Sequence, residues 1–131
     1  MNFDWSQEYS VKNQKIDGHH LELFRLFDTF SEAITMGKNE EYVLDTLHDI
    51  KDYTYYHFSF EERAMKRANY PRYAQHKIIH DKFIADIDRM ISEYSNADPL
   101  SISLKMYQLL THWLQEHILK TDHQYEPYLR D

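Results

Sequence analysis

Side chains able to hold a metal are set into each of four apolar, helix-spaced stripes in this sequence. His20 belongs to Ile16, His20, Leu23, Phe27, Phe30, Ile34, and His57 and Glu61 belong to Val43, Leu47, Ile50, Thr54, His57, Glu61, Met65. His76 and His80 sit in Tyr73, His76, His80, Phe83, Ile87, Met90, Tyr94, and His117 closes Ile102, Met106, Leu110, Trp113, His117. Steps of three and four residues put each set on one face of a helix. A chain that must bury four such faces together has few folds open to it.

The punctuation agrees with four helices. Asp17 offers an N-cap and Gly37 a stop; Asn39 offers a second N-cap, followed by Glu40 and Glu41 where the helix dipole favours acids. The second helix is expected to end near Arg67 to Tyr70. Pro71 suits the first turn of a third, residues 95–97 break it, and Asp98-Pro99 is an N-cap with proline at the first position of a fourth. Two glycines and three prolines in 131 residues leave little material for hairpins. The expected fold is therefore all-α, an up-down-up-down antiparallel four-helix bundle, because short connections make consecutive helices antiparallel neighbours. We expect one domain over 1–131, with an extended N-terminal arm at 1–16 in which Phe3 and Trp5 pack, the bundle at 17–119, and a tail at 120–131 folded back over its end.

Composition narrows the chemistry. Cysteine is absent, so disulfides and thiolate metal sites are excluded and any metal must be held by nitrogen and oxygen. Net charge is -7 with lysines and arginines scattered singly among acids, which argues against nucleic acid as a partner. No apolar run opens the chain or approaches a membrane span, so a cytoplasmic protein without membrane insertion is expected.

Spacing alone does not select ligands, because His48 and Asp52, and His112 and Glu116, also stand four apart. Direction does. On an ideal helix His48 points about 180° from His57 and His112 about 140° from His117, which puts both pairs on the surface. His19 is about 100° from His20, and His123 lies beyond the last stripe; neither is expected to be a ligand. Depth is the second criterion. His20 starts its helix, His57 and Glu61 lie toward the end of theirs, His76 and His80 start the next, and His117 ends the last. With antiparallel neighbours all of these meet at one end of the bundle. Asp122 is a seventh candidate, five residues after His117, and a regular helix would turn it about 140° off the stripe. We therefore predict a widened turn or helix end between His117 and Asp122.

Five imidazoles and two carboxylates are too many for one tetrahedral ion and suit two ions that share the carboxylates as bridges. If one ion takes three histidines and the other two, and a solvent oxygen also bridges, the second has an open position for a diatomic ligand.

The sequences Ile16-Asp17-Gly18-His19-His20, His57-Phe58-Ser59-Phe60-Glu61-Glu62, Tyr70-Pro71 leading to His76 and His80, and Trp113-Leu114-Gln115-Glu116-His117 through Asp122 resemble the hemerythrin family, in particular its single-domain bacterial members. The resemblance implies a non-heme di-iron centre. In it His76, His80 and His117 hold one iron and His20 and His57 the other. Glu61, Asp122 and a solvent-derived oxo or hydroxo group bridge them. It implies reversible binding of dioxygen at the five-coordinate iron, in an apolar pocket whose family positions are Phe58, Trp113, Leu114 and Ile118. His19 stands where the family commonly has glutamine, and is expected to alter local hydrogen bonding without touching a ligand.

The expected role is oxygen transport, storage or delivery by a monomer, with a transient oxygen-consuming partner, rather than catalysis. Oxygen or redox sensing and a di-iron oxidase or peroxidase are the alternatives. Carboxylate-rich di-iron enzymes use Glu-x-x-His pairs, of which this chain has none. A zinc protease is disfavoured because Lys77 stands where its glutamate belongs.

Overall fold

Helix ends are set by side chains that can be named. In the computed structural model, which describes residues 5–94 and 99–131 and the side chains of all of these but 99, 100, 102, 103 and 114, α1 runs Gln14–Thr35. Its N-cap is Asn13, whose side chain accepts from the Ile16 N–H at 3.1 Å, not Asp17 as the sequence suggested. Asp17 sits in the first turn instead and ties down the preceding chain, accepting from the Val11 N–H at 2.9 Å and the Ser10 hydroxyl at 2.6 Å. Among the described residues before α1 there is a short 3-10 turn, Gln7–Tyr9.

Gly37 ends α1 at φ +65°, which lets the Lys38 N–H reach back to the Ala33 carbonyl at 2.9 Å. α2, Glu40–Arg67, begins at Asn39, whose side chain accepts from the Tyr42 N–H at 2.9 Å, with Glu40 and Glu41 in its first turn and Lys66 and Arg67 in its last. It ends in the same way as α1, with Asn69 at φ 56° and the Tyr70 N–H on the Met65 carbonyl at 3.0 Å. α3 is Tyr73–Tyr94. Pro71 lies in the turn before it rather than in its first turn, and the Arg72 carbonyl takes the first helical bond, from the His76 N–H at 3.0 Å. α4, Pro99–Trp113, has proline first as expected; Asp98 and residues 95–97 lie outside the described residues.

From Leu114–Thr121 the helix widens to a π-helix, and the Asp122 N–H donates to the carbonyl of His117, five residues back. This is the widened turn that the spacing required. A 3-10 turn, Asp122–Tyr125, and the short α5, Glu126–Leu129, complete the chain. α1 packs on α2, α2 on α3, α3 on α4 and α4 back on α1, which closes the four-helix bundle, and there is no strand among the described residues.

Two apolar clusters hold it together. The larger follows the length of the bundle through Phe24, Phe27, Phe30, Leu47, Ile50, Phe83, Ile87, Met106 and Leu110. Each such fully buried side chain stabilises the fold by roughly 1.5–3 kcal/mol. Trp5 packs against this cluster and on Phe24, as expected, whereas Phe3 lies outside the described residues. The smaller cluster joins Val11 and Ile16 to Met65, Tyr70, Tyr125 and Leu129, so the tail does fold back over the end. Asn13 donates to the Leu129 carbonyl at 2.7 Å and the Asp131 N–H to the Lys12 carbonyl at 2.8 Å, so the two ends of the chain meet there. Between the clusters, along every helix, lies one polar layer.

Candidate metal centre

That layer is made of the seven side chains singled out in the sequence, and all seven are buried: His20, His57, Glu61, His76, His80, His117 and Asp122. Each helix places its share between an apolar residue of the larger cluster and one of the smaller, as His20 stands between Phe24 and Ile16 and Glu61 between Phe58 and Met65. Glu61 and Asp122 have no exposure to solvent.

The two carboxylates each face both ways. Glu61 Oε2 lies 3.0 Å from His57 Nε2 and 3.8 Å from His20 Nε2, while its Oε1 lies 2.9 Å from His76 Nε2 and 3.0 Å from His80 Nε2. Asp122 Oδ2 lies 3.2 Å from His20 Nε2, and its Oδ1 lies 3.1 Å from His76 Nε2 and 2.9 Å from His117 Nε2. Two donor groups result, His20 with His57 and His76 with His80 and His117, each completed by Glu61 and Asp122, with the donor atoms of a group all within 4.8 Å of one another.

His76 Nε2 pairs with Glu61 Oε1 at 2.9 Å, but most of these atoms converge without satisfying each other. His20 Nε2, His80 Nε2, His117 Nε2 and both Asp122 oxygens have no hydrogen-bond partner, although buried polar groups in proteins are ordinarily paired. A cluster of orphaned nitrogen and oxygen donors aimed at common points fits metal ions, and the layer is capable of holding them.

Electrostatics follow from the same packing. Burial alone would lower the pKa of His20 and His76, but the facing Asp122 and Glu61 carboxylates outweigh it and raise them to about 9 and about 10. Burial likewise opposes ionisation of Glu61, and burial together with the Glu61 charge opposes that of Asp122; the imidazoles nonetheless hold both carboxyls well below their usual range. Burial keeps His57 low and takes His117 down to about 4. Protons on His20 and His76 thus balance the two carboxylates where a metal would otherwise do so.

Aromatic rings wall the layer on the bundle side. Phe58 stacks on His80 and Trp113 on His117, both at 3.7 Å between centroids, Phe83 stacks on Trp113 at 4.0 Å, and Ile118 is buried beside them. The Leu114 side chain lies outside the described residues. His48, Asp52 and His112 are exposed and Glu116 is half-exposed, as direction on the helix predicted.

Three contacts escaped the sequence reading. Tyr125 donates its hydroxyl to Glu61 Oε2 at 2.8 Å; it stands three residues past Asp122, where a continued helix-like step could have signalled it. Glu62 Oε2 lies 2.8 Å from His80 Nδ1, reaching from α2 to α3 one position off the inward Glu61. His19 does touch a candidate ligand, contrary to expectation: its Nδ1 is 3.0 Å from His57 Nδ1. The 100° offset from His20 that takes His19 off the inner face of α1 turns it toward α2.

A family model, the hemerythrin HHE cation binding domain, matches residues 11–129. The chain belongs to the hemerythrin family. It is 30% identical over 129 residues to a bacteriohemerythrin of Clostridium acetobutylicum, covering 94% of this chain and 98% of that one. It is 29% identical over 118 residues to a bacteriohemerythrin of Pseudomonas paraeruginosa, covering 90% of this chain and 75% of the relative. The fold matches the crystal structure of a mutant hemerythrin with a TM-score of 0.83 at 22% identity, over 98% of this chain and 97% of that one. Family membership thus agrees with the polar layer, the bundle that encloses it and the widened fourth helix.

Proposed function

We propose that the chain binds dioxygen reversibly at a di-iron centre in this layer, and that it carries, stores or delivers oxygen rather than transforming a substrate. The observation that carries the reading is the inequality of the two donor groups. Both use Glu61 and Asp122, but one adds three imidazoles and the other two. A pair of irons so held supplies, when bound, one coordination position that no side chain fills, where a diatomic ligand is taken up without displacing the protein.

The chain's own residues account for the rest. His76, His80 and His117 would hold one iron, His20 and His57 the other, and Glu61 and Asp122 would bridge. Tyr125 fixes Glu61 by donating to it, and Glu62 fixes His80 by accepting from its Nδ1. Phe58, Trp113 and Ile118 exclude water from that side of the layer, and with Leu114 they form the proposed oxygen pocket. An apolar surround withholds the protons that would turn binding into reduction. Five neutral imidazoles against two carboxylates favour high-valent iron less than a carboxylate-rich set would, which supports a binder over an oxidase. The setting we propose is a cytoplasmic monomer that passes oxygen to a consuming partner.

The test is visible absorption of anaerobically reconstituted ferrous protein as air is admitted and withdrawn. A charge-transfer band that rises with oxygen and fades under vacuum is expected. A band that persists, with iron irreversibly oxidised, would favour an enzyme or a redox sensor.

A further inference from the structure

His19 does not belong to the polar layer, yet it is built against it. Its half-buried ring meets His57 edge-on, at 86° and 5.1 Å between centroids, and is flanked by Phe60 at 4.9 Å, Tyr56 at 5.3 Å and Tyr53 at 6.0 Å. The two Nδ1 atoms are 3.0 Å apart, a hydrogen-bond distance. Two imidazole nitrogens can share a hydrogen only if one carries it and the other offers a lone pair.

Which one donates is decided by the other end of His57. Its Nε2 faces Glu61 at 3.0 Å, inside the two-histidine group. A nitrogen that holds a metal carries no hydrogen, so the His57 hydrogen must be on Nδ1 and must point at His19. We propose that His19 is the positioning residue of the two-histidine group: as a neutral imidazole it accepts the His57 Nδ1–H and so fixes that ring's tautomer and tilt toward the metal. This inference rests on the metal-binding reading given above.

The arrangement differs in kind across the layer. His80 has the carboxylate of Glu62 at its Nδ1, 2.8 Å away, whereas His57 has an uncharged ring. A carboxylate acceptor pulls the hydrogen and makes the far nitrogen a stronger donor; an imidazole does so less. His57 is then the weaker donor of the two, and the two-histidine group is the weaker metal site for a second reason beyond its count.

The test uses the whole chain and three variants. In His19→Phe, which keeps a ring among Tyr53, Tyr56 and Phe60 but offers no acceptor, anaerobic competition between protein and a chelator for ferrous iron should show the weaker iron equivalent losing about 10- to 100-fold in affinity and the stronger unchanged. His19→Gln, whose amide oxygen can accept, should restore it, and His19→Leu should not. In the zinc-loaded wild type, nitrogen–nitrogen coupling across the hydrogen bond should connect His57 and His19 in the NMR spectrum. The proposal is overturned if both equivalents bind His19→Phe as they bind the wild type, if glutamine fails as phenylalanine does, or if no coupling is seen. If the wild type binds no second ion, the metal reading itself fails and this inference goes with it. Loss confined to His19→Phe and His19→Leu, in a chain that otherwise binds two ions, upholds both.

Discussion

The two halves of the polar layer are built by different rules. The three-histidine half is largely local: His76 and His80 are one turn apart on α3, and His117 and Asp122 are one π-helical step apart at the end of the fourth helix. The two-histidine half takes a single histidine from α1 and a single histidine from α2, and brings these two together only when those helices pack. The local half is specified by spacing and the other half by the fold. Glu61 and Asp122, facing both, couple them.

The largest effect is expected from removing what the halves share. Glu61→Ala deletes a donor from each group, and iron bound per chain should fall below about one tenth of the wild-type value by metal analysis. Retention of one iron would show that the halves are independent. His80→Ala should be next in effect, because it strips a donor, and that donor's stacking contact with Phe58, from one half only. About one iron should be lost and the other should bind more weakly, since the carboxylates they share are left with less support.

Protonation tests the charge balance in the metal-free protein. His20 and His76 are raised above the ordinary value of 6.5, to about 9 and about 10, so the stability they contribute is complete below pH 6.5 and is lost as the pH climbs through 9 to 10. Glu61 and Asp122 are depressed, so their contribution is complete above their ordinary values of 4.5 and 3.8 and is lost as the pH falls through the depressed ones. The melting temperature of the metal-free chain should therefore peak near pH 6.5: above it the contribution of His20 and His76 fades, and below it His117, held down to about 4, and the lowered His57 favour unfolding, with the carboxylates adding to the fall at more acid pH. Metal loading near pH 7 should release protons from His20 and His76, which calorimetry in buffers of different ionisation enthalpy would count.

Smaller effects sharpen the picture. Tyr125→Phe removes one hydrogen bond to a buried carboxylate and should cost about 1–3 kcal/mol in denaturant unfolding while leaving both donor groups in place. His48→Ala, on the exposed face of α2, should change neither stability nor bound iron.

What the sequence revealed, and what it hid, follows the same division. Apolar stripes spaced at three and four residues located α2 and its inward donors because the 3.6-residue period alone decides which side chains share a face. The five-residue step from His117 to Asp122 was legible as a conflict with that period, and the π-helix resolves it. The start of α1 was not legible, because Asn13 and Asp17 are both good caps and only the packed structure shows that Asn13 reaches the Ile16 N–H while Asp17 anchors Val11. Pro71 was read into the first turn of α3 although it stands two residues before Tyr73, for a similar reason: proline suits both a first helical turn and the turn before it. Glu62 and His19 were hidden because each stands one position off an inward donor and acts across to a neighbouring helix.

On the function proposed above, one layer holds two irons unequally, through two shared carboxylates. Anaerobic titration of the metal-free chain with ferrous iron, with iron per chain measured after removal of the excess, tests it most directly. Saturation at two irons per chain is expected, in two steps of different affinity, matching the two donor groups. Saturation at one iron, or two irons that bind identically, would contradict it.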